Sequence, residues 1–197
     1  MGVEIRQAGP ADRDAVAKLL DEAFQNDPVS SWVFPDPVHR RAVHGRFLGV
    51  FVDVTLEGGR IDMLADGSAA ALWLRVPAGV HEEEVDVPAL MRETADPDNE
   101  RCELVGRLMG EIHPTHEEHE YLLMIAVDPA RQGEGLGTAL IQPVLDRCDR
   151  EGVAAYLEAS SERSRPLYER LGFEFTGTPV QLPDGPLMWP MWRRVRD

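Results

Sequence analysis

Residues Val127 to Gly137 read Val-Asp-Pro-Ala-Arg-Gln-Gly-Glu-Gly-Leu-Gly. An apolar run, Tyr121 to Val127, leads into this stretch. A helical repeat follows it, with Leu136, Leu140, Val144, Leu145 and Cys148 on one face. The order is buried strand, glycine-rich turn, helix. Such a turn aims several backbone N–H groups at one point beside a helix N-terminus, where a phosphate or pyrophosphate is held without a lysine. Alternating glycines also remove the Cβ atoms that would keep an anion off the backbone. A tight connection with no ligand is the plainer reading of the same residues. A Walker A loop is ruled out because Leu-Gly-Thr stands where Lys and Ser/Thr are needed. The dinucleotide fingerprint fails because its third glycine comes one residue early, at Gly137.

A chain of 197 residues is long enough for one well-buried domain and short for two. Its hydrophobic fraction of 43% suits a soluble globular protein, and no apolar stretch reaches the length of a membrane span. The start, Met-Gly-Val-Glu-Ile-Arg, has neither a signal-peptide core nor the Ser/Thr of a myristoylation site. Cys102 and Cys148 lie far apart in helix-like segments and suggest no disulfide or metal framework. A cytoplasmic enzyme with reduced thiols is the expectation. A formal charge of −15 argues against nucleic acid, whose phosphates need Lys and Arg, and suits a cationic small molecule such as an amine. Ordinary solubility accounts for the same charge.

Along the chain, the pattern predicts a strand at Val3 to Ala8 and a helix from Ala11 to Gln25. Asn26 to Pro37 reads as an ordered loop carrying Trp32 and Phe34. A helix over Val38 to Leu56 precedes two strands, Ile61 to Ala65 and Ala69 to Val76, around Asp66-Gly67. The acidic stretch His81 to Asp86 leads into a helical region from Pro88 to Met109, interrupted at 95–98. After the glycine turn and its helix come a strand at Val153 to Ala159, a short helix at Ser164 to Leu171, and a strand at Phe173 to Thr176. A hairpin turning at Pro183-Asp184-Gly185 closes the chain. This order makes one α/β domain, residues 1–197, around a mixed sheet.

A second segment, Pro166-Leu167-Tyr168-Glu169-Arg170-Leu171-Gly172-Phe173, lies downstream of the glycine turn. By itself Tyr168 reads as a packing residue. Together the two segments match Gln/Arg-x-x-Gly-x-Gly/Ala (Gln132, Gly135, Gly137) followed by Leu-Tyr-x-x-x-Gly-Phe. The chain therefore resembles the GCN5-related N-acetyltransferases, the GNAT family. Pro143, Tyr-Leu-Glu-Ala-Ser at 156–160, and Ile5-Arg6-Gln7-Ala8 bring the pattern nearest to the puromycin N-acetyltransferase branch. Residues from Val38 to Glu118 match only loosely.

That resemblance implies a mostly antiparallel twisted sheet of about seven strands flanked by helices, with a splayed parallel pair at the cofactor site. It implies acetyl-CoA as co-substrate. The backbone around Arg131, Gln132, Gly133, Glu134, Gly135, Leu136, Gly137 and Thr138 would hold the pyrophosphate. Ile125, Ala126 and Val127 would pair with the pantetheine arm. Ser164 stands where relatives carry Asn touching the cofactor, and serine can still cap the helix there. Tyr168 would protonate the leaving thiolate, a role a phenol suits because it stays protonated at neutral pH. Trp32 and Phe34 would wall the acceptor pocket, with core packing as the alternative.

The amine must lose a proton. Glu158 is the first candidate to take it, because a carboxylate in an apolar strand costs several kcal/mol unless paired or wet; a salt bridge or exposure at the strand end is the other reading. Glu120 is the weaker candidate. His113, His116 and His119 read as a solvated loop, since His116-Glu117-Glu118-His119 lacks the i, i+4 spacing of a helical zinc motif. No metal is expected. The function expected is acetyl transfer to a primary amine of a small molecule by direct attack in a ternary complex. A peptide or protein acceptor, and a non-catalytic acyl-CoA-binding module, are the alternatives. A homodimer stays open, and neither membrane nor nucleic acid is expected as a partner.

Overall fold

The apolar run before the glycine turn is a central strand of the sheet. The computed structural model describes residues 3–79 and 85–196. The chain forms β1 (Ile5–Gln7), α1 (Arg13–Phe24), α2 (Pro28–Val33), α3 (Pro37–Gly58), β2 (Gly59–Leu64), β3 (Ala69–Val76), α4 (Val87–Ala95) and α5 (Arg101–Ile112). It continues through β4 (His119–Val127), α6 (Leu136–Glu151), β5 (Ala154–Ala159), α7 (Arg165–Arg170), β6 (Glu174–Phe175), β7 (Val180–Gln181) and β8 (Leu187–Arg193). Of the acidic stretch His81 to Asp86, positions 81–84 lie outside the described residues.

The sheet runs β1-β2-β3-β4-β5-β8-β6, with β7 paired to β8. Among the described residues it has eight strands where about seven were expected; the short β7 belongs to the closing hairpin. Among the described residues only the β4–β5 pair is parallel. Its register stops at Tyr121↔Tyr156, although β4 runs on to Val127 and β5 to Ala159. The two strands therefore splay. Beside the splay, β3 pairs Leu72 with Met124 and Trp73 with Leu122, so Leu123 is an inserted residue, a β-bulge. The bulge puts Leu123 and Met124 on the same side, against the α1/α3/α5 layer, while Leu122 and Ile125 face α6 and α7.

Helix α6 follows the sequence pattern: Leu136, Leu140, Ile141, Val144, Leu145 and Cys148 are buried and Pro143 is exposed. A proline there removes one N–H from the solvent-facing side of the helix.

The expected loop Asn26 to Pro37 instead contains α2. Asp27 is its N-cap, accepting from the Val29 and Ser30 amides at 2.8 and 3.2 Å, and Pro28 occupies the first turn. Cys102 and Cys148 are unpaired and buried, and burial pushes their thiols up to about 12 and about 11. Among the described residues no helix is long and apolar enough to cross a membrane.

Candidate active site

The splay opens a slot through the sheet, and a cavity of about 800 Å³ fills it. One end is walled by the glycine turn and α7; the other by Phe24 of α1, Phe47 and Phe51 of α3, and Val105 and Met109 of α5. Residues 122–127 of β4 and Leu157 and Glu158 of β5 line its middle.

Gly133 and Gly135 have φ of +87° and +82°, a left-handed backbone that disfavours any other residue. They turn the chain so that Leu136, Gly137 and Thr138 start α6 in the cavity wall. The amides of a first helical turn have no carbonyl to serve within the helix. Gly137 differs: an added Cβ would meet Leu167 and Ile125 at ordinary contact distances of 3.6 and 3.7 Å. Gln132 also lines the cavity, but Arg131 and Glu134 do not. The Arg131 guanidinium donates to Asp66 and Ser68, both at 2.7 Å, and to Glu134 at 2.9 Å. These two expected cofactor residues therefore anchor the turn to the β2–β3 hairpin. Gln132, Gly133, Gly135, Leu136, Gly137 and Thr138, with Ile125, Ala126 and Val127, come together around the cavity.

Tyr168 and Ser164 share that wall. Tyr168 is buried, and burial together with the nearby Asp27 carboxylate raises its hydroxyl, so it stays protonated at neutral pH. Ser164 precedes α7 without capping it; its hydroxyl donates to the Ser161 carbonyl at 2.9 Å. The expected cap is absent because Ser164 has helical backbone angles, φ −81° and ψ −26°.

Glu158 is almost completely enclosed, its side chain 1% exposed. One carboxylate oxygen, Oε2, accepts from the Tyr121 hydroxyl at 2.7 Å. The other, Oε1, and the Tyr156 hydroxyl each lack a partner at hydrogen-bond geometry among the described residues, although Tyr156 lies close enough to Glu158 for the two to shift each other's titration. Burial outweighs the opposing effects of the Tyr121 and Tyr156 hydroxyls and raises the carboxyl from 4.5 to about 7. Neither a salt bridge nor exposure at the strand end accounts for it. Glu120 is different: its Oε1 accepts from Arg75 and Arg147, each at 3.2 Å, outside the cavity.

Two expectations are corrected. Trp32 and Phe34 do not wall the cavity. The Trp32 indole donates to the Pro183 carbonyl at 2.9 Å, and Phe34 is fully buried with its edge against Phe47 at 5.3 Å. Helix α2 turns both into the core, and the aromatic wall comes from Phe24, Phe47 and Phe51. The histidines are not one solvated loop either. Strand β4 begins at His119, and its two-residue alternation puts His119 on the same side as Tyr121, where it is buried. His113, at the end of α5, packs against it with Nε2 3.0 Å from His119 Nε2. Only His116 is exposed.

A further arrangement was not foreseen. Ser30 Oγ lies 2.9 Å from His44 Nε2, and His44 Nδ1 lies 2.8 Å from Asp21. The order is that of a hydrolase triad, but Ser30 is 5% exposed and the Val29 and Ser30 amides beside it already serve Asp27. The trio joins α1, α2 and α3 across the core.

Known proteins place this geometry. The mycothiol acetyltransferase of Brachybacterium faecium is 31% identical over 147 residues, 65% of this chain and 44% of that protein. The chain spans less than half the length of the curated relatives it matches, 32% and 44% for two of them. A Corynebacterium glutamicum crystal structure described as "histone acetyltransferase HPA2 and related acetyltransferase" superposes over 100% of this chain and 98% of its own, with TM-score 0.68 and 28% identity. Arylalkylamine N-acetyltransferase 2 from Aedes aegypti, at 15% identity and TM-score 0.66 over 100% of both chains, shares the fold. The acetyltransferase (GNAT) family model matches residues 72–173, which span β3 through the Tyr168 helix, and so the chain belongs to the GNAT family of acetyltransferases.

Proposed function

We propose that the protein transfers the acetyl group of acetyl-CoA to a primary amine of a small, largely apolar molecule by direct attack in a ternary complex. The observation that carries this reading is the cavity through the β4–β5 splay, which joins the glycine turn on one side of the sheet to Glu158 and an aromatic lobe on the other.

Each role follows from chemistry already described. The first-turn amides of α6 and the two left-handed glycines hold the CoA pyrophosphate by backbone donors and helix dipole. The backbone of Ile125, Ala126 and Val127 has no β5 partner and is open to pairing with the pantetheine amides. Ser164 borders the same arm. Glu158 takes a proton from the incoming ammonium, and the neutral nitrogen attacks the thioester carbon. As the C–S bond breaks, Tyr168 gives its O–H proton to the thiolate and regains the second nitrogen proton. Neither buried thiol serves as an acyl carrier, since burial holds both in the unreactive protonated form.

The acceptor lobe supports a small apolar amine over one that carries an anionic group. The arginines in the cavity wall, Arg163 and Arg170, both lie at the α7 end, whereas Glu22 borders the other and Asp27 stands between, accepting from the Ser160 hydroxyl at 2.6 Å. A carboxylate or phosphate on the acceptor would be buried there without a counter-charge, at a cost of several kcal/mol. The puromycin-like pattern of 156–160 and the Tyr168 segment agrees with a small acceptor.

The test is thiol release with a panel of phenethylamine, hexylamine, phenylalanine and a short peptide with a free N-terminus. Phenethylamine and hexylamine are expected to be preferred. Preference for the peptide would replace the acceptor class, and acetyl-CoA binding with no thiol release from any amine would favour a binding module. Tyr168→Phe is expected to lower kcat by about a hundredfold with acetyl-CoA affinity nearly unchanged.

A further inference from the structure

Glu158 is poorly placed to lose the proton it gains. Its side chain is 1% exposed, while that of His113 behind it is 20% exposed. His113 Nδ1 lies 3.9 Å from Glu158 Oε1, the oxygen without a hydrogen bond. The protons on this side can be placed by elimination. The Glu117 carbonyl, 2.8 Å from His119 Nδ1, only accepts, so that nitrogen carries the proton and His119 Nε2 carries the lone pair. The 3.0 Å contact between the two Nε2 atoms then requires the proton on His113 Nε2. This leaves the His113 Nδ1 lone pair facing Glu158 Oε1.

We propose that His113 is the proton outlet of Glu158, and that His119 and the Glu117 carbonyl are its positioning groups. The proposal rests on the acetyl-transfer reading above. The ammonium N–H bond breaks as an O–H bond forms on Glu158 Oε1. Rotation of the partly exposed His113 side chain closes the 3.9 Å gap; that O–H then breaks as N–H forms on His113 Nδ1, and the imidazolium releases a proton to water. Glu158 ends as carboxylate and His113 as the Nε2–H tautomer, so the pair is ready for another turnover.

The surroundings favour brief occupancy of His113. The rings of Tyr121 and Tyr156 stand edge-on to it at 4.7 and 5.0 Å, and His119 contributes the like charge when protonated. Burial, with His119, lowers His113 to about 4, so it passes a proton on rather than storing it. On the far side, His119 faces His116, Arg75 and the Glu117 backbone, and burial lowers it as well.

The experiment measures kcat against pH for wild type and His113→Gln with saturating acetyl-CoA and phenethylamine, with and without added imidazole. The expected result is a fall in kcat of about tenfold or more, with both KM values within about twofold and kcat restored by imidazole. Unchanged kcat across the pH range, or a loss that imidazole does not restore, overturns the proposal. Ring nitrogen NMR on the wild type gives a measurement that no folding defect can affect. An unprotonated His113 Nδ1 whose shift follows the Glu158 titration, and ceases to in Glu158→Gln, is expected; a proton resident on Nδ1 overturns it. Failure of the underlying reading is seen earlier, as wild-type protein that binds acetyl-CoA and releases no thiol with any amine.

Discussion

Replacing Glu158 by Gln is expected to abolish activity and yet stabilise the fold at neutral pH. Burial lifts the carboxyl from 4.5 to about 7 in the folded protein. Between these values the folded chain keeps a proton that the unfolded chain has released, so this group's contribution to stability falls as pH rises through the window. At about 1.4 kcal/mol per pH unit, the cumulative loss is about 1 kcal/mol at pH 5.5 and about 3 kcal/mol at pH 8. The glutamine amide has nearly the shape of the carboxyl, accepts from Tyr121 with its oxygen, and aims its N–H₂ at the His113 lone pair. It carries no charge to desolvate.

The variant should therefore gain up to about 3 kcal/mol at pH 8, roughly 6–12 °C in midpoint for a domain of this size, and about 1 kcal/mol at pH 5.5. Asp27 and His44, whose titrations are also shifted, are common to both proteins and cancel in the difference, and His113, lowered to about 4, is neutral across the assay range. The assay is urea denaturation at pH 5.5, 6.5 and 8, kept above the sequence pI of 4.8, with the slope required to match between proteins. A stability difference independent of pH, or a variant less stable than wild type at pH 8, would refute the argument that desolvation dominates at Glu158.

Other substitutions test other links. Gly135→Ala, at φ +82°, should cost roughly 1–2 kcal/mol and weaken acetyl-CoA binding, measurable by urea melts and calorimetry. Gly137→Ala, which an added Cβ would fill at ordinary contact distance, should leave stability within about 0.5 kcal/mol. Asp149→Ala removes the carboxylate that takes two bonds, at 2.7 and 2.6 Å, from the buried Arg193 guanidinium; a loss of about 3–5 kcal/mol is expected in the same melts, and a loss under 1 kcal/mol would show that the guanidinium finds water.

Much of this architecture was legible locally. The glycines at 133 and 135, the apolar run before them and the single face of α6 each follow from one backbone or one periodicity, and neighbours in sequence are neighbours in space there. The short α2 was legible too: Asp27-Pro28 is a cap followed by a first-turn proline, as are Asp36-Pro37 and Asp128-Pro129. Proline density masked the signal. Arg131 lay inside the motif, but its side chain answers to Asp66 and Ser68, far along the chain.

The sequence by itself determined the family, the strand–turn–helix with its left-handed glycines, and Tyr168 and Glu158 as polar groups set among apolar neighbours. The tertiary structure decided which residues face the slot. Parallel pairing of β4 and β5 ends at Tyr121, and only that long-range register opens the sheet. The pairing of Trp32 with Pro183 and of Phe34 with Phe47 took both from the cavity wall. The burial of His113 and His119 behind Glu158 likewise depends on α5 meeting β4 and β5. A side chain's titration and access depend on what surrounds it in space, and sequence spacing encodes that only within a single helix, strand or turn.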